Sequence, residues 1–298
     1  MELYLKLIDV LFPVFLVIGI GFYLGKKNPK FDTDFITKLT GTFGTPALIF
    51  YSLTSTGVNL ETFLEFFTYK VILITGFSLV GILTLFLTKR DIVYELPPLI
   101  LPNNGNIGIS VCLFAYGDLG LGIAGAIASV VMLLHFTLGI FLAKKKLDFK
   151  VLFKNGPIYG ILFALIFLYF ELDVPIFLEN ATFLISYATI FLVLMALGIA
   201  LTRLKIFSFK LSLINSFTRM VLGPLIGLAL INFFNLRGVE AGVLFIQSAM
   251  PSAILTYLVG SMYSPKKVVD SIASTIFVTT TISFITLPVI VYLALRFF

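Results

Sequence analysis

Apolar residues run along this chain in long stretches, separated by short polar connections that hold most of its lysines. At about 1.5 Å per residue, a run of about 20 residues crosses the hydrocarbon of a bilayer as a helix. The pattern predicts ten helices, roughly 7–25, 33–56, 66–88, 93–117, 119–143, 157–172, 176–202, 208–234, 238–263 and 268–297. The fourth and ninth are interrupted near their middles. Leu99-Ile-Leu-Pro-Asn-Asn-Gly-Asn-Ile-Gly-Ile-Ser110 sets Pro102, Gly105 and three asparagines inside an apolar run, and Ala249-Met-Pro-Ser-Ala253 sets Pro251 inside another. Backbone freed at that depth is costly unless it is buried in protein or lines a wet cavity. Both breaks are therefore candidate binding sites.

Composition sharpens the picture. The 298 residues are 59% hydrophobic and 12% charged, a balance that soluble domains do not show. The reading is an all-α polytopic membrane protein. The first apolar run has no small-x-small cleavage site after it and many further spans follow, so it is expected to be retained. Positive charge alternates between loops. Fifteen basic residues fall in one set: Lys26, Lys27 and Lys30; Lys89 and Arg90; Lys144, Lys145, Lys146, Lys150 and Lys154; Arg203, Lys205 and Lys210; Lys266 and Lys267. The opposite set has only Lys6, Lys70, Arg237 and Arg296. The positive-inside bias then puts both termini outside a cytoplasmic (inner) membrane. Because the net charge of +6 is spread over short loops rather than gathered on a face, no nucleic-acid partner is expected. Cys112 is the single cysteine and His135 the single histidine, so neither a disulfide, a transition-metal site nor a cofactor is expected. Gly117 to Gly125 is glycine-rich but has no P-loop lysine, which leaves ATP-driven transport without support.

The basic loop 144–156 divides the chain into 1–143 and 157–298, with five predicted helices in each. Five is odd, so the two repeats are inverted. Asn106 in the first break and Pro251 in the second are separated by the same offset as Ile127-Ala-Ser129 and Ile272-Ala-Ser274. Matched interruptions in inverted halves point to a secondary-transporter site, with the two broken helices crossing at one depth.

Chemistry concentrates at the breaks. Asn103, Asn104 and Asn106 offer amide donors without net charge, and the half-helix after the break aims backbone N–H groups at the gap. Together they suit a carboxylate; the plainer alternative is that they satisfy carbonyls freed by Pro102. Gln247, Ser252 and Thr256 can add contacts from the second break, although hydroxyls are ordinary in membrane helices. Arg219, inside the eighth span, either counters a substrate charge, couples to a proton carrier or snorkels to the interface. His135 can move protons or simply pack. Pro46, Pro224 and Pro288 read as simple kinks.

Leu101-Pro-Asn, Gly108-Ile109 and Tyr116-Gly117 resemble the fourth helix of the auxin efflux carrier family. Met250-Pro251 leading to Tyr263 resembles its ninth helix, and Pro46-Ala-Leu-Ile-Phe50 its second. The resemblance runs from Val10 to the end. It implies ten helices in two inverted five-helix repeats, a scaffold domain, a transport domain built on crossing helices, and elevator-like export of organic anions such as auxin or malate-like dicarboxylates. It also permits a homodimer. Ser110 and Thr256 stand where family members commonly carry a further proline, and the loop between the halves is short, as in a minimal prokaryotic-type member. A competing reading keeps the fold but makes the protein a sodium- or proton-coupled cation exchanger or bile-acid-like symporter. That reading needs carboxylates at membrane depth, and no acidic residue is predicted there. An intramembrane enzyme would need a catalytic constellation that the sequence does not contain.

Overall fold

The computed structural model describes residues 2–146 and 155–298. Most of the predicted basic loop, including Lys150 and Lys154, lies outside the described residues. The elements are helical throughout. Among the described residues six helices are long and apolar enough to cross a membrane: Glu2–Lys27, Leu60–Leu87, Asn104–Lys144, Ile176–Leu201, Phe209–Phe234 and Lys266–Phe297. Gly156–Tyr169 and Ile254–Tyr263 are shorter apolar helices. The physical reason is common to all: in lipid, a helix satisfies its own backbone and its apolar surface costs nothing. The protein is a multi-pass helical membrane protein.

The 41-residue run Asn104–Lys144 would be far longer than a bilayer if straight. It turns back at Gly117, whose φ of 66° and ψ of −149° lie in a region open essentially to glycine. Beyond the corner, a Cβ placed on Gly120 would collide with the Cys112 carbonyl. In a straight helix those residues would be about 12 Å apart. The corner falls where the fourth and fifth apolar runs are predicted to separate.

Two helices contain a widened, π-helical turn just before a proline. Asp34–Leu39 passes through Thr40–Gly44 into Thr45–Thr54, which carries Pro46 near its start; Phe209–Phe217 passes through Thr218–Leu222 into Gly223–Phe234, which carries Pro224. Proline removes a donor and crowds the carbonyl four residues back, and widening the preceding turn relieves both. The simple kinks predicted at these two prolines are thus π-turns, whereas Pro288 lies within the helix Lys266–Phe297.

The described residues form two compact units. One comprises those of Met1–Thr68, Gly105–Met132 and Lys150–Arg203. In it Glu2–Lys27 packs on Ile176–Leu201 so closely that a Cβ on Gly21 or Gly198 would strike the other helix's backbone. Gly122 and Gly125 leave similar room for the side chains of Thr56 and Ser52, which explains the glycine-rich stretch as packing. The other unit comprises the described residues of Tyr69–Asn104, Leu133–Phe149 and Leu204–Phe298. Arg90 pairs there with Glu95, and the same guanidinium donates to Asn215 Oδ1 at 2.9 Å and Ser271 Oγ at 2.8 Å. Each unit draws segments from both halves of the sequence.

Candidate functional site

Both breaks contribute to the second unit. The helix Gly238–Ser248 ends at Ala249, and Ile254–Tyr263 resumes the path five residues on. The first break leaves Pro97–Ile100 at Leu101, whose backbone is extended. Asn103 N–H donates to Pro251 O at 2.7 Å and Ala253 N–H to Leu101 O at 3.1 Å, an antiparallel bridge that pairs Pro102 with Ser252. In such a bridge the central pair makes no mutual backbone bonds, so Pro102 loses nothing by lacking an N–H. The breaks satisfy each other's backbone, as burial in the membrane requires.

Side chains reinforce the crossing. Ser252 Oγ donates to Pro98 O at 2.5 Å. Asn104 Nδ2 donates to Gln247 O at 2.8 Å and also to Gln247 Oε1. Asn104 therefore ties one break to the helix before the other. This is close to the plainer alternative, in which an asparagine satisfies a carbonyl. The tie leaves Asn104 Oδ1 and Gln247 Nε2 buried without partners, and Asn103 Nδ2 is likewise buried and unpaired, its residue only 3% exposed. Three unsatisfied amide atoms within one small region are unusual, because buried polar atoms are nearly always bonded.

The remaining expected contacts are distributed unevenly. Thr256 Oγ1 donates to Ala253 O at 2.7 Å, within its own turn, and lines a small cavity of this unit together with His135, Leu101 and Gly260. His135 is buried and begins the π-helical turn His135–Gly139. Asn106 and Ser110 belong to the first unit, where Ser110 Oγ donates to Asn106 O at 2.7 Å. Gly105 does not break the helix as predicted. The chain is already wound into the π-helical turn Asn104–Gly108, so the extended break ends at Asn103. Asn103 alone of the three asparagines stands in it.

Arg219 does not snorkel. It is 1% exposed, and its Nε and Nη2 donate to Met250 O at 2.9 Å and Ser248 O at 3.0 Å. Ser248 O is one of the carbonyls a helix ending there leaves without an intrahelical donor, and Met250 O lies in the break just beyond it. A planar guanidinium serves two of them at once. Its carbon lies 4.1 Å from the centre of the Phe77 ring.

Sequence reasoning missed one residue. The third span was expected to begin at residue 66, which set Lys70 at its outer end; the helix begins at Leu60, with Asn59 Oδ1 accepting from Thr62 N–H at 2.8 Å. Lys70 thus lies about 15 Å along the helix. It is 0% exposed, and its ammonium is 5.4 Å from the centre of the same Phe77 ring. The asparagine that opens the helix six residues upstream of the predicted start was the signal available in the sequence.

Residues 140–292 match the family described as membrane transport protein. The chain is also 30% identical over 300 residues to an uncharacterized transporter of Methanocaldococcus jannaschii, an alignment covering 92% of this chain and 94% of that relative. Similarity of this extent, reaching both breaks, makes the protein a membrane transporter that belongs to the auxin efflux carrier family.

Proposed function

We propose that the protein is a secondary carrier for organic anions of the carboxylate class, working by alternating access across the cytoplasmic membrane. Ten helices in two inverted repeats, with both termini outside, form the frame of this reading, and the unit carrying the crossed breaks moves the site from one side to the other. The observation that carries it is the amide nitrogen of Asn103, buried without a partner in the extended part of the crossing, where Asn104 Oδ1 and Gln247 Nε2 are likewise unpaired. Amide N–H groups and the start of the half-helix Ile254–Tyr263 favour a carboxylate without fixing it too tightly to leave. Arg219 next to the second break adds positive potential. Because Asn104 and Ser252 donate across the crossing, their part is to hold it, and Ser110 and Thr256 donate within their own turns, while Asn103 and Gln247 meet the ligand.

Flux of malate, indole-3-acetate and an amino acid into proteoliposomes, under proton, sodium or no gradient, tests the proposal. Carboxylate flux is expected and should fall at least about tenfold in Asn103→Ala, the cost of one buried hydrogen bond to a charged group. Sodium or proton movement without any organic anion would instead favour the cation exchanger.

A further inference from the structure

Helix Leu60–Leu87 buries Lys70 completely and gives its ammonium no hydrogen-bond partner. Among the described residues the ion pair is Arg90 with Glu95, so no carboxylate answers Lys70 or Arg219. Both cations address one aromatic ring, Phe77, at 5.4 Å for the Lys70 ammonium and 4.1 Å for the Arg219 guanidinium carbon. Phe77 lies about two turns further along Lys70's own helix. The ammonium is thus drawn into the span, the reverse of the snorkelling that would return it to the nearer interface. A ring face attracts a cation only modestly. Two cations on one ring, stripped of water, repel each other, and among the described residues no carboxylate pairs with either. Arg219 Nε and Nη2 are committed to the carbonyls of Met250 and Ser248, leaving Nη1 outside those bonds. The next carbonyl, that of Pro251, accepts from Asn103 N–H. Arg219 and the Asn103 backbone therefore meet adjacent carbonyls of the second break, and Lys70 shares the Phe77 ring with Arg219.

We propose that Lys70 and Arg219 together coordinate an anionic group beside the second break. Its source is either the second carboxylate of a dicarboxylate whose first carboxylate meets Asn103, or a free halide that accompanies a monocarboxylate. This deepens the organic-anion reading and rests on it.

The test uses the full chain, with malate and lactate as di- and monocarboxylate probes and with chloride exchanged for gluconate. Lys70→Met keeps the length of the side chain and removes its charge, and Lys70→Arg restores the charge. In proteoliposomes, a malate-to-lactate affinity ratio that falls at least about tenfold in Lys70→Met and recovers in Lys70→Arg identifies the second carboxylate. Chloride stimulation of lactate flux that disappears in Lys70→Met and returns in Lys70→Arg identifies the halide. Thermal stabilisation of the purified protein by malate or chloride reads the same pair without transport. An unchanged ratio, chloride response and stabilisation in Lys70→Met overturn the assignment, as does a wild-type protein that neither anion stabilises. Asn103→Ala, measured alongside, separates the two claims: full carboxylate flux in that variant removes the crossing as the site, whereas the Lys70 variants judge the cation pair.

Discussion

Arg219 shows how one side chain completes a helix end inside a membrane. Replacing it with methionine would leave the carbonyls of Ser248 and Met250 buried without donors, at about 1–3 kcal/mol each. Arg219→Lys should recover only part of this, because an ammonium lacks the fork that reaches both. Thermal unfolding in detergent is expected to rank wild type above Arg219→Lys and Arg219→Lys above Arg219→Met. The sequence disclosed that Arg219 and the three asparagines were unusual, because charge and amide are rare in apolar runs. It did not disclose their division of labour. Whether an asparagine faces a ligand or a carbonyl depends on which residue begins the resumed helix, and a one-residue difference there put Asn104 on Gln247 and left Asn103 Nδ2 buried without a partner. Lys70 escaped notice for a similar reason: hydropathy alone does not fix a helix start when polar residues such as Glu61 and Glu65 occupy the first turns.

At the scale of elements, the breaks were legible and their bonding was not. Proline within an apolar run marks an interruption, but the bridge of Pro102 with Ser252 joins segments whose partners lie far apart in the chain. A direct pair of this kind has Cα atoms about 4.5 Å apart, within the range of a disulfide. With Cys112 replaced by serine, the double variant Pro102→Cys and Ser252→Cys should cross-link on mild oxidation, read as a shift in gel mobility after cleavage between the two positions. The Gly117 corner gives a second expectation. Gly117→Ala forces a side chain into a backbone region that only glycine adopts easily, at about 1–3 kcal/mol, and should lower the unfolding temperature. The π-turns at Thr40–Gly44 and Thr218–Leu222 were hidden, since proline announces only that the ladder is disturbed and packing decides whether the helix bends or widens.

For the whole molecule, apolar runs and alternating basic loops carried most of the legible information, because a bilayer allows few alternatives to the helix. The compact units were not legible: each gathers segments from both halves of the chain, which periodicity cannot reveal. The proposed orientation makes an accessibility prediction. In a Cys112→Ser background, Arg237→Cys should react with a membrane-impermeant thiol reagent in intact cells, whereas Lys27→Cys, Lys89→Cys and Lys267→Cys should react only after permeabilisation.

The bond from Asn104 to Gln247 closes over 143 residues of chain. At a synthesis rate of about 5–20 residues per second, the first break waits roughly 7–30 s at the ribosome before its partner is made. Through that interval the Leu101 carbonyl and the Asn103 N–H have no mate, and a lone pair of such groups is poorly tolerated in lipid. The nascent first half thus carries a built-in dependence on completion. A cell that stops synthesis at mid-chain should be left with a fragment marked for proteolysis, and supplying the missing half in trans should protect it.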